Sequence, residues 1–148
     1  FAYEYNNNNN FQKILIGKGK ILKKGKKIAF LNLGTRLKKV LEINEMIKNH
    51  HKLNCTVVDM RFAKPIDAKL IQNLNKTHDI FITIEENAIG GFSSQVNDLL
   101  INKLNKTPKI LNFFMKDEFI DQSDIDDQYN KSGISKELIF DKISTLLK

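Results

Sequence analysis

The residues best suited by type and spacing to do chemistry are Arg36, in Gly34-Thr-Arg36, and the acids of Glu85-Glu-Asn-Ala-Ile-Gly-Gly91. Each group follows an apolar run that reads as a buried strand and precedes a helical pattern. In open α/β sheets, ligands and partners meet the fold outside the carboxyl ends of the strands, where strand order reverses. If the strands starting near Ile28 and Asp79 are neighbours, Arg36 is in position to pair with Glu85 or Glu86. Gly90 and Gly91 would then let another backbone approach closely. Plain turn glycines and solvated acids account for the same residues equally well. A third segment, Asp59-Met-Arg-Phe-Ala-Lys-Pro-Ile-Asp67, also leaves a strand end and adds Arg61. The candidate interface set is therefore Arg36, Arg61, Glu85, Glu86, Gly90 and Gly91.

Other chemistry-bearing residues have simpler readings. Gly17-Lys-Gly-Lys20 lacks the spacing of a phosphate-binding P-loop and the third glycine of a dinucleotide fingerprint, so an ordinary turn explains it. His50 and His51 end an amphipathic helix, where cationic or polar side chains suit the negative pole. His78 is expected in the loop before a strand. None of the three shares helical ligand spacing with a carboxylate, so no metal site is expected. Cys55, the single cysteine, opens a buried strand and reads as a small core residue. It also excludes an internal disulfide framework. The acids from Asp121 to Asp127 lack the glycine and terminal glutamate of a calcium loop and read as helix-start and loop acids.

The elements that would position these residues are legible in the pattern. Ile21-Leu22 is a weak first strand, and Ile28 to Leu33 is a near-continuous apolar run, as in a strand buried on both faces. Thr35 is expected to cap a helix carrying Leu37, Val40, Leu41, Met46 and Ile47 inward. Cys55 to Met60 is the next strand, and Pro65-Ile-Asp67 opens a helix with Leu70, Ile71 and Leu74 inward. Asp79 to Ile84 is followed by a helix with Val96, Leu99, Leu100 and Leu104, then by a strand over Ile110 to Phe114. Ser135 to Leu147 is a capped amphipathic helix whose apolar side includes Leu138, Ile139, Ile143, Leu146 and Leu147. Strands alternating with helices imply parallel βαβ units with helices on both faces.

Composition agrees with one domain. The 148 residues are 41 % apolar and 28 % charged, which excludes wholesale disorder. No apolar run approaches the roughly 18 residues a bilayer span requires, and the first residues carry none of the features of a secretory signal. The polar tract Asn6 to Asn10 has no apolar face to bury, so residues 1–17 read as a flexible linker leading into a domain over residues 18–148. The net charge of +7 is local: residues 1–40 hold ten basic side chains against one acid. These cluster between Lys18 and Lys27, where lysines on a sheet edge that discourage edge-to-edge pairing are the simpler reading than nucleic-acid contact.

Gly34-Thr-Arg36, Val58 to Asp67 and Ile82-Thr-Ile-Glu-Glu-Asn-Ala-Ile-Gly-Gly-Phe92 closely resemble the carboxyl-terminal domain of the 1-deoxy-D-xylulose-5-phosphate synthase family, in order and with similar spacing, over about Gly17 to Lys148. Departures are the asparagine tract, where the family has a short linker, and Gln122-Ser123, where many relatives carry His-Gly; no role of that loop is carried over. The resemblance implies a three-layer α/β/α domain with a five-stranded mixed sheet, order 1-3-2-4-5, first strand antiparallel. It also implies an enzyme that condenses pyruvate with glyceraldehyde 3-phosphate, losing carbon dioxide, with thiamine diphosphate and magnesium as cofactors. Those cofactors need a Gly-Asp-Gly motif, a distant Asn-Asn and an activating glutamate, which the family carries in preceding domains. The Gly-Asp-Gly motif is absent from this sequence.

The resemblance thus implies no catalytic, cofactor or metal residue in this chain. The expected role is packing on the catalytic domains of the same polypeptide and on a second subunit of a homodimer, with neither nucleic acid nor membrane as partner. A plastid-type organelle is the expected compartment, with any targeting segment upstream; the bacterial cytoplasm is the alternative. Two other functions stand beside this one. One is a free-standing α/β module holding an anion at the Gly34 and Gly90 loops. The other is a nucleic-acid binder acting through Lys18 to Lys27.

Overall fold

The structure is a computed structural model that describes residues 13–148; residues 1–12 of the expected linker lie outside the described residues. The elements are β1 (Lys20–Lys23), β2 (Lys27–Asn32), α1 (Leu37–His51), β3 (Thr56–Asp59), α2 (Ala68–Asn75), β4 (His78–Ile84), α3 (Phe92–Asn102), β5 (Lys109–Phe113), α4 (Ile125–Ser132) and α5 (Lys136–Leu147). They build one five-stranded sheet in the order β1-β3-β2-β4-β5. β1 runs antiparallel to β3, and the other pairings are parallel. The expected fold class is thereby borne out.

A strand whose successive residues are apolar on both faces is stable only between two covering layers, and Ile28 to Leu31 of β2 obey this. Ile28 and Phe30 point to one face, among Val40, Ile43 and Ile47 of α1 and Ile139 and Ile143 of α5. Ala29 and Leu31 point to the other, among Ile71 and Leu74 of α2 and Val96, Leu99 and Leu100 of α3. Parallel register places Ala29 beside Phe81 and Phe30 beside Ile82. Ala29 thus leaves room beside Phe81, while Phe30 packs beside Ile82, and none of these four has exposed surface. Burying a phenylalanine of this kind is worth roughly 2–3 kcal/mol. β1, with Lys20 and Lys23 exposed, forms one edge of the sheet, as the edge-lysine reading expects.

Several local expectations need correction. Thr35 does not cap α1; Arg36 is the capping residue without a side-chain bond, and the Thr35 hydroxyl is used elsewhere. Asp67, in contrast, caps α2 by accepting from the Leu70 N–H at 3.2 Å. Leu138 is 41 % exposed, because the inward stripe of α5 runs through Ile139 and Ile143. His78 is the first residue of β4 and is buried rather than in a loop. Its Nδ1 lies 3.0 Å from the Leu74 carbonyl and its Nε2 lies 2.8 Å from the Thr56 hydroxyl, so both ring nitrogens are used.

Cys55 is fully buried where β2, β3 and α1 meet, and burial pushes its thiol up to about 12. Thiolate is the reactive form. A maleimide at pH 8 should therefore add nothing to the native protein and one adduct per chain in denaturant, read by intact mass. Stoichiometric labelling under native conditions would contradict this packing.

Candidate functional site

The segments after β2 and β4 leave adjacent parallel strands, with Asn32 opposite Ile84, and diverge to opposite faces of the sheet. Strand order reverses between them. A crevice of about 410 Å³ opens there, lined by Gly34, Lys64, Glu85, Glu86, Gly90 and Gln95 among others. The structure thus brings Gly34, Glu85, Glu86, Gly90 and Gly91 to one place, as the crevice argument requires.

The carboxylates are already in use. Glu85 is buried, and its Oε2 and Oε1 accept from the backbone N–H groups of Phe92 and Ser93, each at 2.7 Å. Those are open donors of the first turn of α3, and a carboxylate there also meets the positive pole of the helix. Gly91 is the capping residue, and a Cβ built on it would collide with Glu85 Oε2. The close approach that Gly91 permits is therefore that of the chain's own glutamate. Gly90, at φ +99°, makes the left-handed step into that cap.

The expected pairing of Arg36 with Glu85 or Glu86 does not occur. The Arg36 guanidinium lies over the Tyr129 ring, 3.7 Å from its centroid, and Nη2 donates to the Ile134 carbonyl at 3.1 Å. Glu86 instead accepts from the Thr35 hydroxyl at 2.5 Å and from the Tyr129 hydroxyl. Burial, and after it the bond to the Glu86 carboxylate, raises the Tyr129 phenol above its usual range. Tyr129 thus stands between the two charges and joins α4 to the loops of β2 and β4. Sequence reading missed it because α4 has no apolar stripe: Ser132 is its one fully buried residue. The available signals were Asp124 and Gly133, which frame those eight residues as an amino-terminal and a left-handed carboxyl-terminal cap.

Arg61 lies apart from this cluster. It takes φ +61° on the β3–α2 segment, its N–H donates to Asp59 Oδ1 at 3.2 Å, and its Nε is 3.5 Å from Asp59 Oδ2. The ion pair is local and half-exposed.

The crevice does not fit a magnesium diphosphate. Its two glutamates would repel the phosphates, both are engaged by the chain's own donors, and the amides of α3 that could hold an anion are filled by Glu85. No cluster of three or more histidines, cysteines or acids is positioned for a metal among the described residues. The arrangement clamps one end of the sheet.

Gly91→Ala should displace Glu85 from the α3 amides and cost about 2–4 kcal/mol, the scale of one to two charge-assisted bonds. Glu85→Ala should cost a similar amount. The double variant should cost little more than Glu85→Ala alone, since the colliding carboxylate is gone. Urea unfolding of the three variants measures this, and simple additivity would show that the clash does not govern the loop.

Known proteins share this arrangement of elements. A chain of a split-gene transketolase, described as an inactive β4 tetramer, superposes with TM-score 0.82 at 27 % identity, over 92 % of this chain and 44 % of that one. A transketolase from Campylobacter jejuni superposes with TM-score 0.57 at 17 % identity, over 87 % of this chain and 18 % of that one, a likeness of fold alone. Curated relatives named 1-deoxy-D-xylulose-5-phosphate synthase are 40 % identical over 138 residues in Psychromonas ingrahamii and 44 % identical over 129 residues in Haemophilus influenzae. These alignments cover 89 % and 86 % of this chain but 21 % and 20 % of the relatives, so the chain spans about a fifth of their length. The resemblance carried by the three motifs is borne out by these relatives. The model of the transketolase C-terminal domain matches residues 17–139, and the chain belongs to that family.

Proposed function

We propose that the chain is the carboxyl-terminal domain of a 1-deoxy-D-xylulose-5-phosphate synthase, and that it supports the catalytic reaction without supplying a reacting group. The observation that carries this is the 40–49 % identity to synthases of that name across most of the chain. The whole enzyme would join the two-carbon unit left when pyruvate loses carbon dioxide to glyceraldehyde 3-phosphate. Thiamine diphosphate, with magnesium, would supply the carbanion chemistry from the preceding domains. This domain's part is scaffolding, packed on those domains and on a second subunit of a homodimer. The internal use of the Glu85 and Glu86 carboxylates supports that role, since acids already bonded to the chain's own amides and hydroxyls have little left to offer a substrate. Nothing favours a free-standing anion-binding module, because the α3 amides such a module would use are occupied.

The test is carbon dioxide release from pyruvate in the presence of glyceraldehyde 3-phosphate, thiamine diphosphate and magnesium. The polypeptide that carries this domain together with its preceding domains should turn over, and the 148-residue chain alone should match the blank. Turnover by the chain alone, or none by the longer polypeptide, would overturn the proposal.

A further inference from the structure

Apolar side chains left in water collect at one end of the sheet. Of the nine large ones exposed among the described residues, six belong to segments at the carboxyl ends of the parallel strands: Ile14, Leu15, Ile16, Ile89, Phe119 and Ile125. Phe119 is fully exposed, and Ile89 and Ile16 are 68 % and 77 % exposed. The three near the chain's entry join the rest because β1 is antiparallel. Lys20 pairs with Asp59, the last residue of β3, so the described residues that precede β1 start from that strand's carboxyl end. There the Gly19 N–H donates to Asp67 at 3.2 Å, and Gly17 packs on Pro65.

This end is a formed surface. The Met115 N–H donates to the Asn87 carbonyl at 3.0 Å and ties the β5–α4 segment to the β4–α3 loop. Between them lies a hollow of about 430 Å³, lined by Ala88, Met115, Phe119 and Ile120 together with the charged run Lys116 to Glu118. Large apolar side chains gathered in water at one end of a sheet mark a site of contact with another protein surface.

We infer that this face is where the domain docks on the preceding, catalytic part of its own polypeptide, with Phe119 and Ile89 as the buried anchors. The inference rests on the synthase reading. It is favoured over a second copy of the domain because the chain spans about a fifth of its relatives' length, and because the backbone that leads into β1 arrives at this same face. Large apolar anchors at the centre of a contact carry most of its binding energy.

The experiment uses the longer polypeptide. Hydrogen exchange at the amides of residues 88–90 and 117–120 should be slower there than in the 148-residue chain, by roughly tenfold to a hundredfold, the scale of burying one large apolar side chain. Phe119→Ser with Ile89→Ser should abolish that protection and lower synthase turnover at least about tenfold. Ile101→Ser, on an exposed position at the far end of α3, should do neither. The 148-residue chain carrying the same two serines should keep its unfolding midpoint, since neither side chain is packed within the domain. Equal exchange in the two contexts, or an active longer polypeptide indifferent to both serines, overturns the docking. A 148-residue chain that dimerises by light scattering and loses the dimer on Phe119→Ser also overturns it, in favour of a second copy. A wild-type longer polypeptide with no synthase turnover overturns the functional reading, and the exchange comparison still decides the docking.

Discussion

The Glu85 carboxylate occupies the place where an external anion would otherwise bind, on the open amides of Phe92 and Ser93. Much at this end of the sheet depends on it. A helix that starts inside a fold must satisfy its first N–H groups, and a buried carboxylate must be bonded on both oxygens. Here each solves the other's problem. The solution fixes the distance from the end of β4 to the start of α3, and hence how α3 lies on the sheet. It leaves no room for a side chain at position 91. The glutamate and the second glycine of the motif are thus one device.

From that clamp the rest of the cluster follows by elimination. With Glu85 turned toward α3, Glu86 is the acid left to face the other side of the sheet, where it takes the hydroxyls of Thr35 and Tyr129. Arg36 then has no carboxylate within reach and settles on the Tyr129 ring and the Ile134 carbonyl. Arginine tolerates this because its delocalised charge is weakly hydrated and stacks on aromatic faces. The β2 and β4 loops and the α4–α5 junction are held together by shared donors and acceptors. Such an assembly suits a rigid mount better than a ligand pocket, whose polar groups must await a partner.

The fold was largely legible because its signals are strong and local. Ile28 to Leu33 and Asp79 to Ile84 are apolar at nearly every position, so only strands covered on both faces could bury them. The antiparallel first strand and the strand order came from family resemblance, since periodicity cannot tell which strands pair. At the site, composition and spacing brought the right loops together but gave the wrong partners. Opposite charges at adjacent loop ends suggest an ion pair, yet helix amides offer Glu85 two donors that the backbone already holds in place, so only the glutamate's own side chain is ordered. α4 escaped notice because Ile125 to Ser132 turns a polar face almost all round. Its stability comes from the Asp124 cap and from Tyr129 on the cluster, and the second of these is a tertiary contact. His78 was misplaced by a single residue, but that residue divides a solvated loop from a strand buried against Thr56 and Leu74.

A switch-point crevice in an α/β sheet is ordinarily the first place to look for a ligand, and what decides the matter is the hydrogen-bonding state of its charged groups. Where donors and carboxylates are left unpaired and preorganised, binding a ligand repays the cost of desolvating them. Here the carboxylates of Glu85 and Glu86 have internal partners, and Arg36 donates through Nη2 and stacks on Tyr129. The Arg36 Nε and the Asn32 Oδ1 are left unpartnered among the described residues. The exposed side chains Phe119, Ile89 and Ile14 to Ile16 at the same end are apolar. Polar groups that satisfy one another next to apolar groups that have no cover describe a surface shaped for another protein surface.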